Sequence, residues 1–209
     1  MTNDSTNDPR NDQRNDQRNE FAEIPIEDLY DSENPLVPGR ICGSCMLCCK
    51  VMIVDELNKP SGTLCRHAVL GKGCSIREQR PRSCHTFFCG WRLDPNLDSM
   101  WKPEISGFVL TISLRYAAML VMVDPARPLA WKAQPYYGRM KEWSARAFKE
   151  DKRIVAMLLG EATVLLPDRD VPIGMLAPDD EIVLLRDGNG YFAERRRRRQ
   201  GAASGAGAR

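Results

Sequence analysis

Regular hydrophobic periodicity is confined to the C-terminal half of this chain. Phe108, Leu110, Ile112 and Leu114 alternate with Val109, Thr111, Ser113 and Arg115, the two-residue period of a strand. Met119 to Val123 predicts a second strand, stopped by Asp124-Pro125. Tyr136, Met140, Trp143 and Ala147 recur at three- and four-residue spacing and predict a helix over 136–150. Short strands are expected at Thr163 to Leu166 and Glu181 to Leu185. Asp187-Gly188-Asn189-Gly190 is a tight-turn signal ahead of Tyr191-Phe192. Residues 40–92 show little such order.

The two ends read differently again. Residues 1–20 hold no aliphatic or aromatic side chain after Met1, and Asn11-Asp12-Gln13-Arg14 is repeated as Asn15-Asp16-Gln17-Arg18. Burial there cannot offset the entropy of ordering, so a disordered tail is expected. Phe21, Ile24, Ile26 and Leu29 are the first apolar anchors. From Glu194 onward the arginines Arg195 to Arg199 are followed by Gly, Ala and Ser, the composition of a second flexible tail. The expected organisation is α+β: a tail (1–20), a cysteine-rich, metal-stabilised module (21–99), a small mixed α/β region packed on it (100–193), and a tail (194–209).

Composition narrows the class. A hydrophobic fraction of 43% is enough to bury a core. The net charge of +2 depends on the arginine run, without which the chain is acidic, so bulk charge does not mark a nucleic-acid binder. No apolar run approaches the roughly 20 residues that cross a bilayer. Met1 to Asp8 has no basic start, apolar stretch or small-residue cleavage site, so a cytoplasmic protein is expected. In a reducing compartment, clustered cysteines serve metals or catalysis more often than disulfides.

The chemistry lies in those cysteines. All eight fall between Cys42 and Cys89: Cys42, Cys45, Cys48, Cys49, Cys65, Cys74, Cys84 and Cys89. Thiolate is a soft donor suited to zinc, iron–sulfur clusters and copper(I). A Cys-x-x-Cys spacing sets two sulfurs on one side of a tight turn, and here it occurs twice in succession, at Cys42/Cys45 and Cys45/Cys48. Cys49 lies directly beside Cys48 and points elsewhere, so it serves a second metal, joins a polynuclear site or is no ligand. Eight sulfurs match two four-ligand centres. His67 and His85, the chain's only histidines, fall inside the cluster and are either further donors or neighbours of the ligands. Met52 stands where a bacterial-type ferredoxin run needs its fourth cysteine. A zinc ribbon needs a second Cys-x-x-Cys pair, and none follows Cys49.

Two motifs carry a resemblance. The opening Cys42-x-x-Cys45-x-x-Cys48-Cys49 resembles that of the CxxCxxCC cysteine-cluster family, the YkgJ-like group of zinc- or iron-chelating domain proteins. That family's later signature is similar to C-x-I-Y-E-x-R-P-x-x-C-R-x-F. Here it reads Cys74-Ser75-Ile76-Arg77-Glu78-Gln79-Arg80-Pro81-Arg82-Ser83-Cys84-His85-Thr86-Phe87, with Arg77 replacing Tyr and His85 replacing Arg. The resemblance implies chelation of zinc or iron by the matching cysteines and no defined reaction. A similar cluster occurs in flagellin lysine N-methylases, but this chain has no Gly-rich strand-to-helix turn for a methyl donor.

Beside the motif, Pro81 should hold Arg80 extended and deliver Cys84 by a defined turn. Arg80 is also a candidate counter-charge for several thiolates. Phe87, Phe88 and Trp91 are expected to form an apolar lid. No Ser/His/Asp set and no phosphate-binding loop is present. The leading expectation is a metal-binding protein with zinc or iron as its bound partner and no catalytic residues nominated. An iron–sulfur redox protein or cluster-dependent enzyme is the alternative. Nucleic-acid binding through Arg195 to Arg199 is the weakest reading, because no aromatic residue is interleaved with the run.

Overall fold

The computed structural model describes residues 36–177, 179–188 and 190–197. The expected tail over 1–20, the anchors Phe21 to Leu29 and residues 198–209 lie outside them. The backbone of the fold is a five-stranded sheet of β3 (Phe108–Ser113), β4 (Ala118–Val123), β5 (Arg153–Leu158), β6 (Glu161–Leu165) and β7 (Asp170–Met175), in that spatial order. All neighbours are antiparallel except β4 and β5. A parallel pair needs a crossover, and residues 124–152 supply it with one long helix, Tyr136–Ala147.

That helix packs on one face of the sheet. Its buried residues are Tyr136, Met140 and Trp143, expected from the spacing, together with Ser144, while Ala147, the last of the expected stripe, is only half-buried. They join Phe108, Leu110, Val121, Val123, Ile154, Ala156 and Leu165, which project from alternate strand positions to the same side, together with Trp101 and Trp131. Edge-to-face contacts of Trp101 with Phe108 and Tyr136 organise the centre of this core. The opposite face is shared by two covers. Over β5 and β6 it meets the hairpin of β8 (Asp180–Asp187) and β9 (Gly190–Arg197), with Val155, Val164, Ile182 and Ala193 buried between them. At the β3 end Val109 and Met122 are covered by Leu47 and Val51 from the cysteine-rich segment.

This second cover modifies the expected alternation. Val109, on the nominally polar face of β3, is fully buried because the cysteine-rich segment lies on it. Leu114, expected to point inward, falls beyond the strand and is 63% exposed. The helix ends at Ala147, with a single 3₁₀ turn (Phe148–Glu150) completing the expected span.

A larger correction concerns the C-terminal arginines. Glu194 to Arg197, expected to begin a flexible tail, are the end of β9. Arg197 pairs with Asp180 and Arg196 with Glu181 across the hairpin, so opposite charges face each other along the ladder. Arg195 reaches Asp180 at 3.6 Å. The acidic start of β8 is what orders the start of the run.

Residues on both sides of residue 99 enter the helix-covered core. Leu97 and Trp101 are part of the helix-covered core, and Trp91 packs against it. Among the described residues, no helix is long and apolar enough to cross a membrane.

Candidate metal centre

Five short pieces of backbone carry the donors. The Cys42-x-x-Cys45 turn is closed by the Cys45 amide donating to the Cys42 carbonyl at 2.8 Å. Helix α1 (Leu47–Val51) follows, with Leu47 and Val51 turned onto the sheet and the adjacent Cys48 and Cys49 in its first turn. Successive helical residues diverge by about 100°, yet these two thiols stay within hydrogen-bonding reach of each other. Lys50 anchors the helix to the end of β4 by an ion pair with Asp124 at 2.6 Å.

A two-residue hairpin, β1 (Ala68–Val69) with β2 (Gly73–Cys74), brings in Cys65, His67 and Cys74. The Cys65 amide donates to the Cys49 carbonyl at 2.9 Å, and the Ala68 amide to the Cys65 carbonyl at 2.9 Å. Helix α2 (Arg82–Thr86) carries Cys84 and His85. Before it, Arg80 is extended with ψ 149°, as Pro81 dictates. Ser83 donates to Glu56 through its amide at 3.1 Å and its hydroxyl at 2.8 Å, which pins α2 to the turn after α1. Cys89 then caps helix α3 (Gly90–Leu93). This helix lies close on β3, since a Cβ at Gly90 would stand 3.0 Å from that of Leu110.

Together these pieces enclose one cavity of about 630 Å³, and all eight cysteines and both histidines line it. Every one of the eight thiols is free and half-buried. A second recess of about 20 Å³ adjoins it, walled by Cys42, Cys45, Cys48 and Cys89 but by no other cysteine. No group of three or more His, Cys, Asp or Glu side chains among the described residues is arranged to hold a metal ion as it stands.

The electrostatics suit a soft cation. Burial pushes the Cys89 thiol up to about 11, with Cys42 and Cys45 adding to the shift. Burial also raises Cys45 and Cys84; Cys84 is further raised by Cys49 and Cys65. The Cys48–Cys49 hydrogen bond divides that pair: Cys48 is held well above the usual thiol range, while Cys49 falls to about 7, helped by Lys59 and Arg80. The raised thiols of Cys45, Cys48, Cys84 and Cys89 favour the protonated form until a cation draws them into thiolates.

Arg80, the expected counter-charge, lies near enough to Cys49 to lower its pKa. Phe87 and Phe88 line the cavity as expected of a lid. Trp91 does not: it backs the small recess and carries Arg40 and Lys102 against its ring.

Two cations of the site carry no sequence signal. Arg92 donates to the Cys42 sulfur at 3.7 Å. Lys59 is buried beneath the cluster, its ammonium donating to the carbonyls of Lys50, Met52 and Pro60. A third unpredicted feature is the contact of Gly73 with the Cys-x-x-Cys turn. Gly73 has φ +88°, and a Cβ there would lie 2.4 Å from the Gly43 carbonyl oxygen. Gly73→Ala is therefore expected to cost about 1–3 kcal/mol. It should also push the hairpin off the turn, seen as a lower denaturation midpoint and weaker metal retention.

Comparison with protein-family models, with curated proteins and with solved structures finds no match to this chain. The likeness to the CxxCxxCC family therefore rests on the two cysteine motifs alone.

Proposed function

We propose that this protein binds zinc or iron through Cys42, Cys45, Cys48, Cys49, Cys65, Cys74, Cys84 and Cys89, in a structural or chelating role. The observation that supports this most is the gathering of all eight cysteines around one cavity. They come from five separate backbone pieces, and packing alone gives no reason for free thiols to converge. Arg80 and Arg92 line the same space and Lys59 lies near Cys49, where their charge would offset that of thiolate ligands. The motif resemblance points the same way.

The donor set fits a soft metal in kind and number. A bound ion would supply the positive charge that the crowded thiols lack, and each ligating thiol would release its proton to solvent. Because Cys45, Cys48, Cys84 and Cys89 hold their protons more tightly than an ordinary thiol, protons compete with metal. Apparent affinity should therefore rise with pH.

Elemental analysis with an optical spectrum, on protein purified without oxygen, tests the reading. Bound zinc or iron is expected, and a chelator should remove it and open residues 40–92 to protease. Iron with acid-labile sulfide and visible absorption would turn the reading to an iron–sulfur redox protein. Protein that takes up neither metal, with all eight thiols equally open to alkylation before and after metal addition, would refute it.

A further inference from the structure

Resting on that metal-binding reading, we infer that the eight cysteines form two separate four-sulfur centres, divided between Cys48 and Cys49. The inner centre is Cys42, Cys45, Cys48 and Cys89; the outer is Cys49, Cys65, Cys74 and Cys84.

The inner set is defined by a recess and by packing. Those four cysteines alone among the eight wall the recess of about 20 Å³. That is room for one water-sized occupant. Cys45, Cys48 and Cys89 also pack together against Leu47, Val51 and Val109, on the sheet side of the module. Cys42 is tied to Cys45 by the turn bond and held by Arg92 at its sulfur. This centre is backed by the sheet.

The outer set is linked by backbone. The Cys65 amide bonds the Cys49 carbonyl, the Ala68 amide bonds the Cys65 carbonyl, and Cys74 is the ladder partner of Ala68. Cys84 arrives on α2 and lines the large cavity but not the recess. All four outer cysteines line the large cavity and are absent from the small recess. His67 and His85 line the large cavity and not the recess, so any nitrogen donor belongs to the outer centre.

A single tetrahedral ion takes four donors at about 2.3 Å from each sulfur. Eight sulfurs spread around about 630 Å³ cannot all meet one such ion. The adjacent Cys48 and Cys49 stand at the boundary, and each centre takes one of them: Cys48 lines the recess and Cys49 does not.

Cobalt(II) titration of the metal-free full chain, followed by thiol alkylation and peptide mapping, tests the division. About two equivalents should bind, each with tetrahedral thiolate absorption. At one equivalent, protection should fall on one complete set of four cysteines before the other. In parallel, Cys42→Ser/Cys89→Ser and Cys65→Ser/Cys84→Ser should each retain about half of the cobalt. In each, the untouched set should stay protected.

One equivalent at saturation, or protection at one equivalent spread across both sets, overturns the division while leaving metal binding intact. Loss of all cobalt from either double variant, with the sheet still folded by circular dichroism, does the same. Should a double variant fail to fold, the protection pattern of the unaltered chain decides. No cobalt, zinc or iron uptake by the unaltered chain overturns the underlying metal-binding reading itself.

Discussion

Cys45→Ser is expected to lower the metal bound by the protein and destabilise residues 40–92 while leaving the five-stranded sheet folded. The reason is how little else holds that segment. Its buried hydrophobic residues are Leu47, Val51 and Val54, against a long list from the sheet and its covering helix. A segment with so small a core does not offset its ordering entropy by burial. Its regular elements are helices of four or five residues and a hairpin of two-residue strands. Structural zinc supplies about 10–16 kcal/mol of apparent folding free energy in small domains. Losing one of four sulfurs removes a large part of that. Serine preserves the side chain's size, so packing of Cys45 against Leu47 and Val51 is little disturbed, and the effect reports on ligation. Metal content and hydrogen exchange measured together check it. Exchange should accelerate across 40–92, with a smaller change at Val109 and Met122, which lose their cover. Equal metal content and equal protection in variant and parent would overturn the prediction.

The elements that could be read from the sequence are those with one buried face. β3, β4 and the helix over Tyr136–Ala147 each show their period because one side meets the core. β5 was hidden by success of the opposite kind: Ile154 and Val155 are both buried, on opposite faces, so Arg153 to Leu158 is a run without a period. β7 contains Pro172 and Gly174, both turn signals. It tolerates them as an edge strand with an irregular register opposite Ala162 and Thr163. β9 ends in arginines that look like a solvated tail until Asp180 and Glu181 are seen across from them. At the site, spacing and compartment were enough to nominate every cysteine. They were not enough to divide them, because the division depends on long-range bonds such as Cys65 to Cys49 and on the recess beside Cys89.

Lys59→Met should destabilise the module by about 3–6 kcal/mol and weaken metal binding, although Lys59 is no ligand. Methionine keeps the length and the apolar stem of lysine, so the loss isolates the ammonium. That ammonium donates to the carbonyls of Lys50 and Met52, at the C-terminal end of α1, and to that of Pro60. Helix C-terminal carbonyls lack partners within the helix, and a cation there satisfies both the hydrogen bonds and the local negative potential. Ser61 shares the task by donating to the Val51 carbonyl at 2.8 Å. Without Lys59, three carbonyls beneath the cluster are left without its donor, and α1 loses the cap that orients Cys48 and Cys49. The same charge lies close enough to Cys65, Cys49, Cys48 and Cys84 to be affected by them. Burial lowers the lysine's pKa, and any thiolate formed on metal binding raises it again. The metal-loaded state is therefore the one that needs the charge most. Lys59→Gln, which keeps a neutral donor, should lose less stability than Lys59→Met but suffer a comparable loss of affinity. Denaturant unfolding and competition with a zinc chelator separate the two effects. Equal stability of parent and methionine variant would show that Lys59 is a bystander. Unchanged affinity in both variants would show that its charge plays no part at the sulfurs.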